Sequence, residues 1–391
     1  MKEYKYLIIG GGMTAASTID GIREIDPIGS IGLISAEADA PYDRPPLSKA
    51  LWKGTSLDSI WRDLKNKNVD IYLNTIAKEI DPRRKHVVCE NRETYSYEKL
   101  LLATGVRPNR LPFGDDSIIY FRTLSDYRNL RALSENAKRI AVIGGGFIGT
   151  EIAAALTMNG KEVAMIFPGE SIGDRIFPRD LSQFINQFYK QKRVEVLSGE
   201  KIIGLEKKGN QYMVKTAHQK NISADGIVAG IGSLPNIELA QAAKIKSIDG
   251  ILVDEFLRTS DQDIYAAGDV AAFFNPSLEK QMRVEHEDNA NTMGRMAGRN
   301  MAGMNDSYRH LPFFYSDMFE LGYEAVGELD SRLEIFSDWK KPFEEGVVYY
   351  LKNDRVKGVL LWNVWKQVDA ARELIAEPGP FTPSNLKGRL K

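Results

Sequence analysis

Cysteine and long apolar runs are scarce in this 391-residue sequence, and each scarcity excludes a class of protein. A single cysteine, Cys89, excludes an internal disulfide, whether structural or part of a redox pair. We interpret Cys89 as a small apolar strand residue, because no basic residue beside it in "HVVCEN" would activate the thiol. No run approaches the roughly eighteen apolar residues of a membrane helix, so we expect no membrane span.

A dominant charge of one sign is also missing, since 52 basic residues balance 53 acidic ones. No overall field would hold a phosphate backbone, so nucleic acid is not an expected partner. The start "MKEYKYLIIGGG" enters a predicted strand directly and shows neither an apolar signal core nor an Arg/Ser-rich presequence. These features predict a cytoplasmic protein, and the length predicts two or three domains.

Glycine, in contrast, is concentrated in a turn at residues 7–15, "LIIGGGMTA", between a predicted strand and a predicted helix. Gly10, Gly12 and Ala15 would let the backbone approach a pyrophosphate, which the helix N-terminus attracts. The next strand, "SIGLIS", ends near Glu37, 25 residues after Gly12. This spacing is close to the roughly 20 residues expected for a carboxylate that binds the ribose hydroxyls of an adenosine.

The same plan returns at residues 141–151, "AVIGGGFIGTE", with Gly144, Gly146 and Gly149 in the turn. No Gly-Lys-Ser/Thr follows either turn, which excludes the phosphate loop of nucleotide hydrolases. Either turn alone is compatible with a plain tight connection, but two turns in full βαβ context favour two dinucleotide sites.

A third segment, "DIYAAGDVA" at residues 263–271, reads as a short strand that ends at Gly268 and Asp269. Asp269 would accept hydrogen bonds from a polyol, or would simply form a turn. Beyond it, "GVVYYLKNDRVKGVLLWNV" predicts two strands and "QVDAARELIAEP" a helix, typical of a separate α+β domain. We expect the turn-rich tail "EPGPFTPSNLKGRLK" to be loosely held.

These motifs together resemble the flavoprotein pyridine-nucleotide reductases, in particular their ferredoxin-reductase branch. The segment "PYDRPPLSKALW" is similar to the flavin-lysine segment of ferredoxin reductases, where disulfide reductases carry cysteines. Within the branch, four stretches look most like the apoptosis-inducing-factor-like flavoproteins: "RPPLSKALW", "RVEHEDNA", "YSDMFELGYEAVGELDS" and "GVVYYLKNDRVKGVLLWN".

The resemblance implies an α/β fold of the glutathione-reductase type, with two Rossmann-like dinucleotide-binding domains and a C-terminal α+β domain. FAD would occupy the first glycine turn and NADH the second. The implied division is an FAD-binding domain at 1–112 and 234–312, an NAD-binding domain at 113–233, and a C-terminal domain at 313–391.

By matching position, the resemblance implies that Lys49 stands beside flavin N5 and pairs with Glu151. Without it, Lys49 reads as a solvated lysine and Glu151 as a first-turn helix acid. Phe147 would lie against the flavin and give way to nicotinamide, unless it is a core aromatic residue. His286 would contact the flavin edge, or be a structural histidine between Glu285 and Glu287.

Further residues are implied as cofactor contacts. Arg44 and Arg122 match FAD contacts and otherwise read as surface ion pairs, while Glu324 matches an acid near the nicotinamide. Tyr315 stands where apoptosis-inducing factors have a tryptophan near the flavin. The remaining implied cofactor positions are Ala77, Thr104, Gly105, Ile148, Gly232 and Glu285.

Two departures limit what the resemblance implies. Between Leu333 and Gly346 this chain has a short connection where the resembled proteins carry a long regulatory insertion, so the resemblance does not imply redox-controlled release of that insertion here. The neutral charge and the missing presequence argue against the DNA-binding and cell-death roles of the animal proteins.

NADH is favoured over NADPH by the sequence after the strand "EVAMIF", which reads Pro168, Gly169 and Glu170. An NADP site would place arginines there, whereas a carboxylate repels the 2′-phosphate. Glu170 lies one position beyond the acid of the resembled family.

The residues and the resemblance together predict an FAD-dependent NADH oxidoreductase without redox cysteines or metal. Hydride would pass from NADH to FAD, and electrons then to a one-electron carrier, such as a ferredoxin or rubredoxin, or to a quinone. The alternative is a slow NADH-responsive sensor that dimerises or recruits a partner through a long-lived reduced flavin–NAD complex. A homodimer is compatible with both.

Overall fold

The computed structural model describes residues 1–209 and 211–390, so Asn210 and Lys391 lie outside it. The first 108 residues alternate a glycine turn, apolar strands and one helix. Their elements are β1 (Lys2–Ile9), α1 (Met13–Ile25), β2 (Ile31–Ile34), β3 (Val69–Tyr72), β4 (Ala77–Asp81), β5 (His86–Cys89), β6 (Thr94–Leu102) and β7 (Val106–Pro108). Short 3₁₀ helices lie at Pro45–Ser48, Ala50–Lys53 and Leu57–Ile60.

The central part of the chain repeats the strand-turn-helix plan and then adds antiparallel strands. Its elements are β8 (Ile119–Tyr120), α2 (Leu124–Asn136), β9 (Arg139–Ile143), α3 (Phe147–Met158), β10 (Glu162–Phe167), α4 (Arg179–Gln191), β11 (Val194–Ser198), β12 (Ile202–Lys208), β13 (Gln211–Thr216), β14 (Asn221–Ala224) and β15 (Gly226–Ala229).

The last part of the chain contains shorter strands followed by a strand-rich segment. Its elements are β16 (Ser233–Pro235), α5 (Glu238–Ala242), β17 (Ser247–Ile248), β18 (Gly250–Leu252), β19 (Ile264–Ala266), β20 (Ala271–Asn275), β21 (Lys280–Met282), α6 (Glu287–Met301), β22 (Phe313–Met318), β23 (Leu321–Gly327), β24 (Glu334–Lys341), β25 (Glu345–Lys352), β26 (Arg355–Trp362), α7 (Val368–Ala376) and α8 (Pro383–Leu386).

The chain forms two compact units, of which the first comprises Met1–Arg44, Leu57–Arg107 and Leu234–Pro312. Its main sheet has the order β3-β2-β1-β6-β5-β4, and β19 pairs with β6. Both neighbours of β1 are parallel to it, and the apolar residues 6–9 of β1 and 31–34 of β2 are buried, as is typical of strands covered on both faces. The first glycine turn therefore follows the carboxyl end of β1, at one edge of the sheet.

Helices α1 and α6 of the first unit pack backbone against backbone. A Cβ on Gly298 would lie 2.1 Å from the Thr18 carbonyl oxygen, and one on Gly294 would lie 2.5 Å from that of Thr14. The Thr18 hydroxyl donates to the Gly294 carbonyl at 3.0 Å. Only glycine permits this approach, which fixes the position of α1 and hence of the turn before it.

The second unit comprises Pro45–Ser56, Pro108–Ser233 and the chain from Phe313 onward. A parallel sheet, β11-β10-β9-β15-β8, carries the second glycine turn after β9. The antiparallel sheet β22-β23-β26-β25-β24 forms the α+β portion. Asn353 and Asp354 join β25 to β26 with φ of 53° and 55°, the backbone of a type I′ hairpin turn.

The C-terminal tail is packed, so the expectation of a loosely held tail is wrong. Phe381, Leu386 and Leu390 are buried, and Leu386 is 0% exposed. The Gly388 N–H donates to the Asp338 carboxylate at 2.6 Å, which fastens the tail to β24. The proline and glycine content suggested turns, but the apolar residues between them supply the burial that holds the tail. Lys391 lies outside the described residues.

Within the described residues, no helix has the length and apolar character to cross a membrane.

Candidate cofactor and redox site

The first glycine turn has a backbone that only glycine adopts without strain. Gly10 has φ +124°, and its N–H donates to the Ile34 carbonyl at 2.8 Å. A Cβ on Gly10 would lie 2.1 Å from the Ala103 carbonyl oxygen, which itself follows the adjacent strand β6. Strand β1 therefore ends in a tight turn pressed against its neighbour.

The second turn has nearly the same backbone geometry as the first. Gly144 has φ +118°, and its N–H donates to the Ile166 carbonyl at 2.9 Å. A Cβ on Gly144 would lie 2.1 Å from the Gly230 carbonyl oxygen. A further close approach requires Gly149, whose Cβ would lie 2.2 Å from the Gly144 oxygen.

Both turns present an uncapped helix N-terminus. Gly12 precedes α1 and Gly146 precedes α3, and neither helix has a side-chain cap among the described residues. A Cβ on Gly146 would meet no atom within 4 Å, so the backbone there opens onto free space. The unpaired N–H groups and the positive end of the helix dipole suit a pyrophosphate, so each turn fits one dinucleotide.

Glu37 lies in a small polar cluster after β2. Its carboxylate accepts a hydrogen bond from the Tyr42 hydroxyl at 2.6 Å and pairs with Arg44. The Arg44 guanidinium also donates to the Tyr42 oxygen at 3.2 Å. The structure thus brings together two predicted FAD residues, Glu37 and Arg44, and adds Tyr42.

The "AAGD" segment returns to the first glycine turn. Gly268 has φ +76°, and a Cβ there would lie 2.2 Å from the Thr14 hydroxyl oxygen, in the first turn of α1. The Arg283 guanidinium donates to the Asp269 carbonyl at 3.0 Å. Asp269 therefore follows a segment held beside α1.

His286 is the residue that precedes α6, and burial lowers its pKa, although the charge of Asp269 opposes this effect. Glu285, the residue before it, is in an ion pair with Arg283 at 2.8 Å. A histidine with a lowered pKa is neutral near pH 7 and can donate or accept a hydrogen bond.

Lys49 and Glu151 form an ion pair in the second unit. The Lys49 Nζ lies 2.8 Å from the Glu151 Oε2, and the two side chains are 13% and 3% exposed. Lys49 follows the 3₁₀ helix Pro45–Ser48, whereas Glu151 lies in the second turn of α3. A desolvated pair of this kind is held much more firmly than a surface ion pair.

Two serines contact the same carboxylate, and neither was predicted from the sequence. The Ser48 hydroxyl donates to Glu151 Oε2 at 2.5 Å, and the Ser316 hydroxyl donates to Oε1 at 2.7 Å. Ser48 directly precedes Lys49, and Ser316 directly follows Tyr315. Adjacency to a predicted site residue was therefore the only signal in the sequence.

Phe147, the first residue of α3, is 39% exposed, so the alternative of a core aromatic residue is wrong. Its ring centroid lies 5.1 Å from that of Phe314 on β22. Ile148 is 37% exposed beside it. The second turn thus presents apolar side chains to solvent next to an open backbone.

Tyr315 and Glu324 face each other across β22 and β23. The Lys49 ammonium lies 5.2 Å from the Tyr315 ring centroid. Burial raises the pKa of Glu324, and its Oε2 has no hydrogen-bond partner among the described residues. Tyr315 therefore borders the Lys49–Glu151 pair, and Glu324 is its cross-strand neighbour.

The other predicted cofactor residues are distributed over the two units. In the first unit, Ala77 begins β4, and Thr104 and Gly105 bond to Asn236. In the second, the Arg122 N–H donates to Asp126, Gly232 has φ +90°, and exposed Glu170 donates its N–H to Asp174. Ala15 lies buried in the first turn of α1.

Cys89 is buried at the end of β5, and burial raises the pKa of its thiol to about 11. A neutral, inaccessible thiol neither attacks a disulfide nor receives electrons from a cofactor.

The family model for pyridine nucleotide-disulphide oxidoreductases matches residues 4–294. This chain belongs to that family. A second model, for the C-terminal region of mitochondrion-associated apoptosis-inducing factor, matches residues 297–342 and 336–377. The two models together span both glycine turns and the C-terminal sheet.

Curated relatives cover nearly the whole chain. Apoptosis-inducing factor 1 of Dictyostelium discoideum is 33% identical over 96% of this chain and 79% of its own length. The ferredoxin–NAD(+) reductase component of the anthranilate 1,2-dioxygenase system of Burkholderia cepacia is 32% identical over 99% and 97%. Among solved structures, putidaredoxin reductase in its covalent complex with putidaredoxin has a TM-score of 0.92 at 28% identity, over 99% and 96%.

The protein is accordingly an FAD-dependent pyridine nucleotide oxidoreductase with FAD and NAD(H) as cofactors. The sequence-based predictions of the fold class, of the enzyme class and of both cofactors are confirmed. The roles assigned to individual residues stay predictions.

Proposed function

We propose that this protein is an NADH-dependent reductase that delivers electrons through FAD to a ferredoxin-type iron–sulfur protein. Two relatives that it covers almost completely are named for such partners, a ferredoxin–NAD(+) reductase component and putidaredoxin reductase. We rank a rubredoxin or a quinone below a ferredoxin as the acceptor, because neither of these relatives is named for them. FAD, when bound, accepts a two-electron hydride and releases electrons singly, which matches a one-electron carrier.

The observation that carries this proposal is the buried Lys49–Glu151 pair. Charge near the isoalloxazine is one of the means by which a protein tunes a flavin. Lys49 would provide positive charge for the reduced, anionic ring, and Glu151 would keep the ammonium oriented. Neither side chain needs to exchange a proton with the nicotinamide.

The state of Cys89 supports a path without thiols. Because this chain has one cysteine, and because that thiol is buried and neutral, no dithiol relay can receive a pair of electrons. Electrons would pass directly from the flavin to the acceptor. A Cys89→Ala variant should therefore keep full NADH-dependent reduction of the carrier.

The proposal assigns the second glycine turn to NADH. The exposed carboxylate of Glu170 would disfavour a 2′-phosphate, so we place NADH ahead of NADPH. We also propose the division into an FAD-binding domain (1–112 and 234–312), an NAD-binding domain (113–233) and a C-terminal domain (313–391). The proposed location is the cytoplasm, which cell fractionation would test.

A second candidate function is a slow NADH-responsive sensor, favoured by the match of residues 297–342 and 336–377 to the C-terminal model of apoptosis-inducing factor. In that case the reduced flavin–NAD complex would be long-lived, and NADH would promote a homodimer or recruit a partner.

An anaerobic absorbance titration with NADH, with NADPH on a second sample, separates the two candidates. Bleaching by NADH, followed by rapid reoxidation with an added ferredoxin, would support the reductase. A long-wavelength band that persists in air, together with a mass change in light scattering, would support the sensor. The absence of a flavin spectrum in the purified protein would contradict both.

A further inference from the structure

In the second unit, the buried carboxylate of Glu151 connects three separate segments of the chain. It lies on α3, receives Lys49 and Ser48 from the segment around the first 3₁₀ helix, and receives Ser316 from β22. Its side chain is 3% exposed, and the buried Tyr189 and Tyr323 also lie close enough to interact with its charge.

The donors divide between the two oxygen atoms. Oε2 accepts from the Lys49 ammonium at 2.8 Å and from the Ser48 hydroxyl at 2.5 Å. Oε1 accepts from the Ser316 hydroxyl at 2.7 Å. Removing Ser316 would leave Oε1 without that donor and would weaken the restraint on rotation about the terminal bond, although Oε2 would keep its two donors.

We propose that Ser48 and Ser316 are positioning residues that fix the orientation of Glu151 and thereby the ammonium of Lys49. This inference rests on the proposed function, because it assigns the serines to the flavin-tuning charge. It also gives the C-terminal sheet a chemical role, since β22 contributes one of the hydroxyls.

The direction of the effect follows from electrostatics. Hydroxyl donors disperse the negative charge of a carboxylate, so less of that charge cancels the ammonium. Without them, Lys49 would be held less firmly and would face a more concentrated negative charge. Both changes weaken the positive field toward a reduced, anionic flavin, so the reduced state should become less favourable.

The test is the flavin midpoint potential of the holoprotein as a function of pH, for Ser316→Ala and Ser48→Ala. At a fixed solution potential, loss of one hydrogen bond to a charged group should lower the ratio of reduced to oxidised flavin by about tenfold. This corresponds to a midpoint potential lower by about 30 mV for two electrons. Ser316→Thr and Ser48→Thr, which keep the hydroxyl, should restore the potential.

A matched control is Ser182→Ala in the same unit. Ser182 is 0% exposed and donates to the Ile172 carbonyl at 2.6 Å, so Ser182→Ala removes a buried hydroxyl that does not bond to Glu151. The flavin midpoint potential of this variant should equal that of the wild type. A shift of equal size in Ser182→Ala would overturn the inference.

The pathway through Lys49 is tested by a double-mutant cycle. In a Lys49→Ala background, adding Ser316→Ala should produce no further shift in potential. An undiminished shift in that background would overturn the inference, because the serine would then act without the lysine.

A second readout does not depend on electron transfer. Limited acylation with acetic anhydride, followed by mass spectrometry, measures how accessible the Lys49 amine is. Ser316→Ala should raise its modification rate by about tenfold, and equal rates in wild type and variant would overturn the inference. Failure of NADH to reduce the wild-type flavin would instead contradict the proposed function and leave this comparison valid.

Discussion

The two glycine turns share one backbone but differ in what surrounds them. At Gly10 and Gly144, φ is +124° and +118°, and an added Cβ would meet a carbonyl oxygen at 2.1 Å in both. The first turn, however, precedes a helix locked to α6 by direct backbone contact. The second precedes a helix whose first two side chains, Phe147 and Ile148, are exposed.

Their polar surroundings differ as well. Glu37, after the strand that follows the first turn, is engaged by Arg44 and Tyr42. Glu170, at the corresponding place after the second turn, is exposed, and its hydrogen bonds are made by its backbone: its N–H donates to Asp174 and its carbonyl accepts from the Asn186 side chain. The first environment suits a ligand that stays bound, and the second suits one that enters and leaves at every turnover.

We therefore expect the glycine turn to set how a phosphate is held, and the groups around the turn to set how long the ligand stays.

Gly298→Val should have the largest effect, because its side chain would collide with the Thr18 backbone of α1. We expect overpacking to cost about 3 kcal/mol, a fall in Tm of about 10 °C, with release of FAD. Differential scanning calorimetry and flavin fluorescence measure both. Gly204→Val is the control, since a Cβ on Gly204 meets no atom within 4 Å. Equal melting of the two variants would contradict the assignment of α1 as the locked helix.

Gly10→Ala and Gly144→Ala should separate the two turns by ligand. Each forces a strained φ and a contact with a carbonyl oxygen. Gly10→Ala should be purified without FAD, whereas Gly144→Ala should keep FAD and bind NADH about 100-fold more weakly. Flavin content and NADH titration are the measurements. Loss of FAD from Gly144→Ala alone would reverse the assignment of the two sites.

Lys49→Ala and Glu151→Ala should each slow the reduction of the flavin by NADH, by about 10- to 100-fold, because each breaks a buried charged hydrogen bond. Anaerobic stopped-flow absorbance measures the rate, and the charge-transfer band should change with it. Lys53→Ala serves as the control, since its ion pair with Asp317 is exposed and 3.5 Å long. Wild-type kinetics in both buried variants would show that the site lies elsewhere.

Phe147→Ala should have the smallest effect and the opposite sign. If nicotinamide displaces the ring, the contact between Phe147 and Phe314 is lost on binding. Removing the ring beforehand should lower the NAD⁺ dissociation constant of the oxidised protein by up to about tenfold. Isothermal titration with NAD⁺ measures this constant for the wild type and for Phe147→Ala. Phe274→Ala, which removes an exposed aromatic residue of the first unit, is the control and should bind NAD⁺ like the wild type. Weaker binding by Phe147→Ala would indicate that the ring holds the nucleotide instead of yielding to it.

Local patterns accounted for much of the fold and for the ligand class. The glycine turns, the apolar strands before them and the hairpin at Asn353 and Asp354 depend on φ preferences and periodicity that short segments carry in themselves. The tail shows the limit of such reasoning. Its prolines and glycines predicted looseness, while Leu386 at 0% exposure shows that burial against distant residues determines its order.

The redox site needed more than local pattern. Lys49 and Glu151 are separated by 102 positions, and only the resemblance suggested that they meet. Ser316 is 165 positions from Glu151, and a serine in a strand carries no signal of its partner. Hydrogen bonds over such distances are consequences of packing, which a linear sequence does not display.

From the residues alone, two dinucleotide sites were predicted and a dithiol relay was excluded, because steric freedom at glycine and the number of cysteines are properties of residues. The folded structure was needed to show that α1 packs directly on α6, that Phe147 is exposed, and that two hydroxyls and one ammonium converge on a single carboxylate. Those features depend on which distant segments share a buried space, and desolvation acts only after the chain has folded.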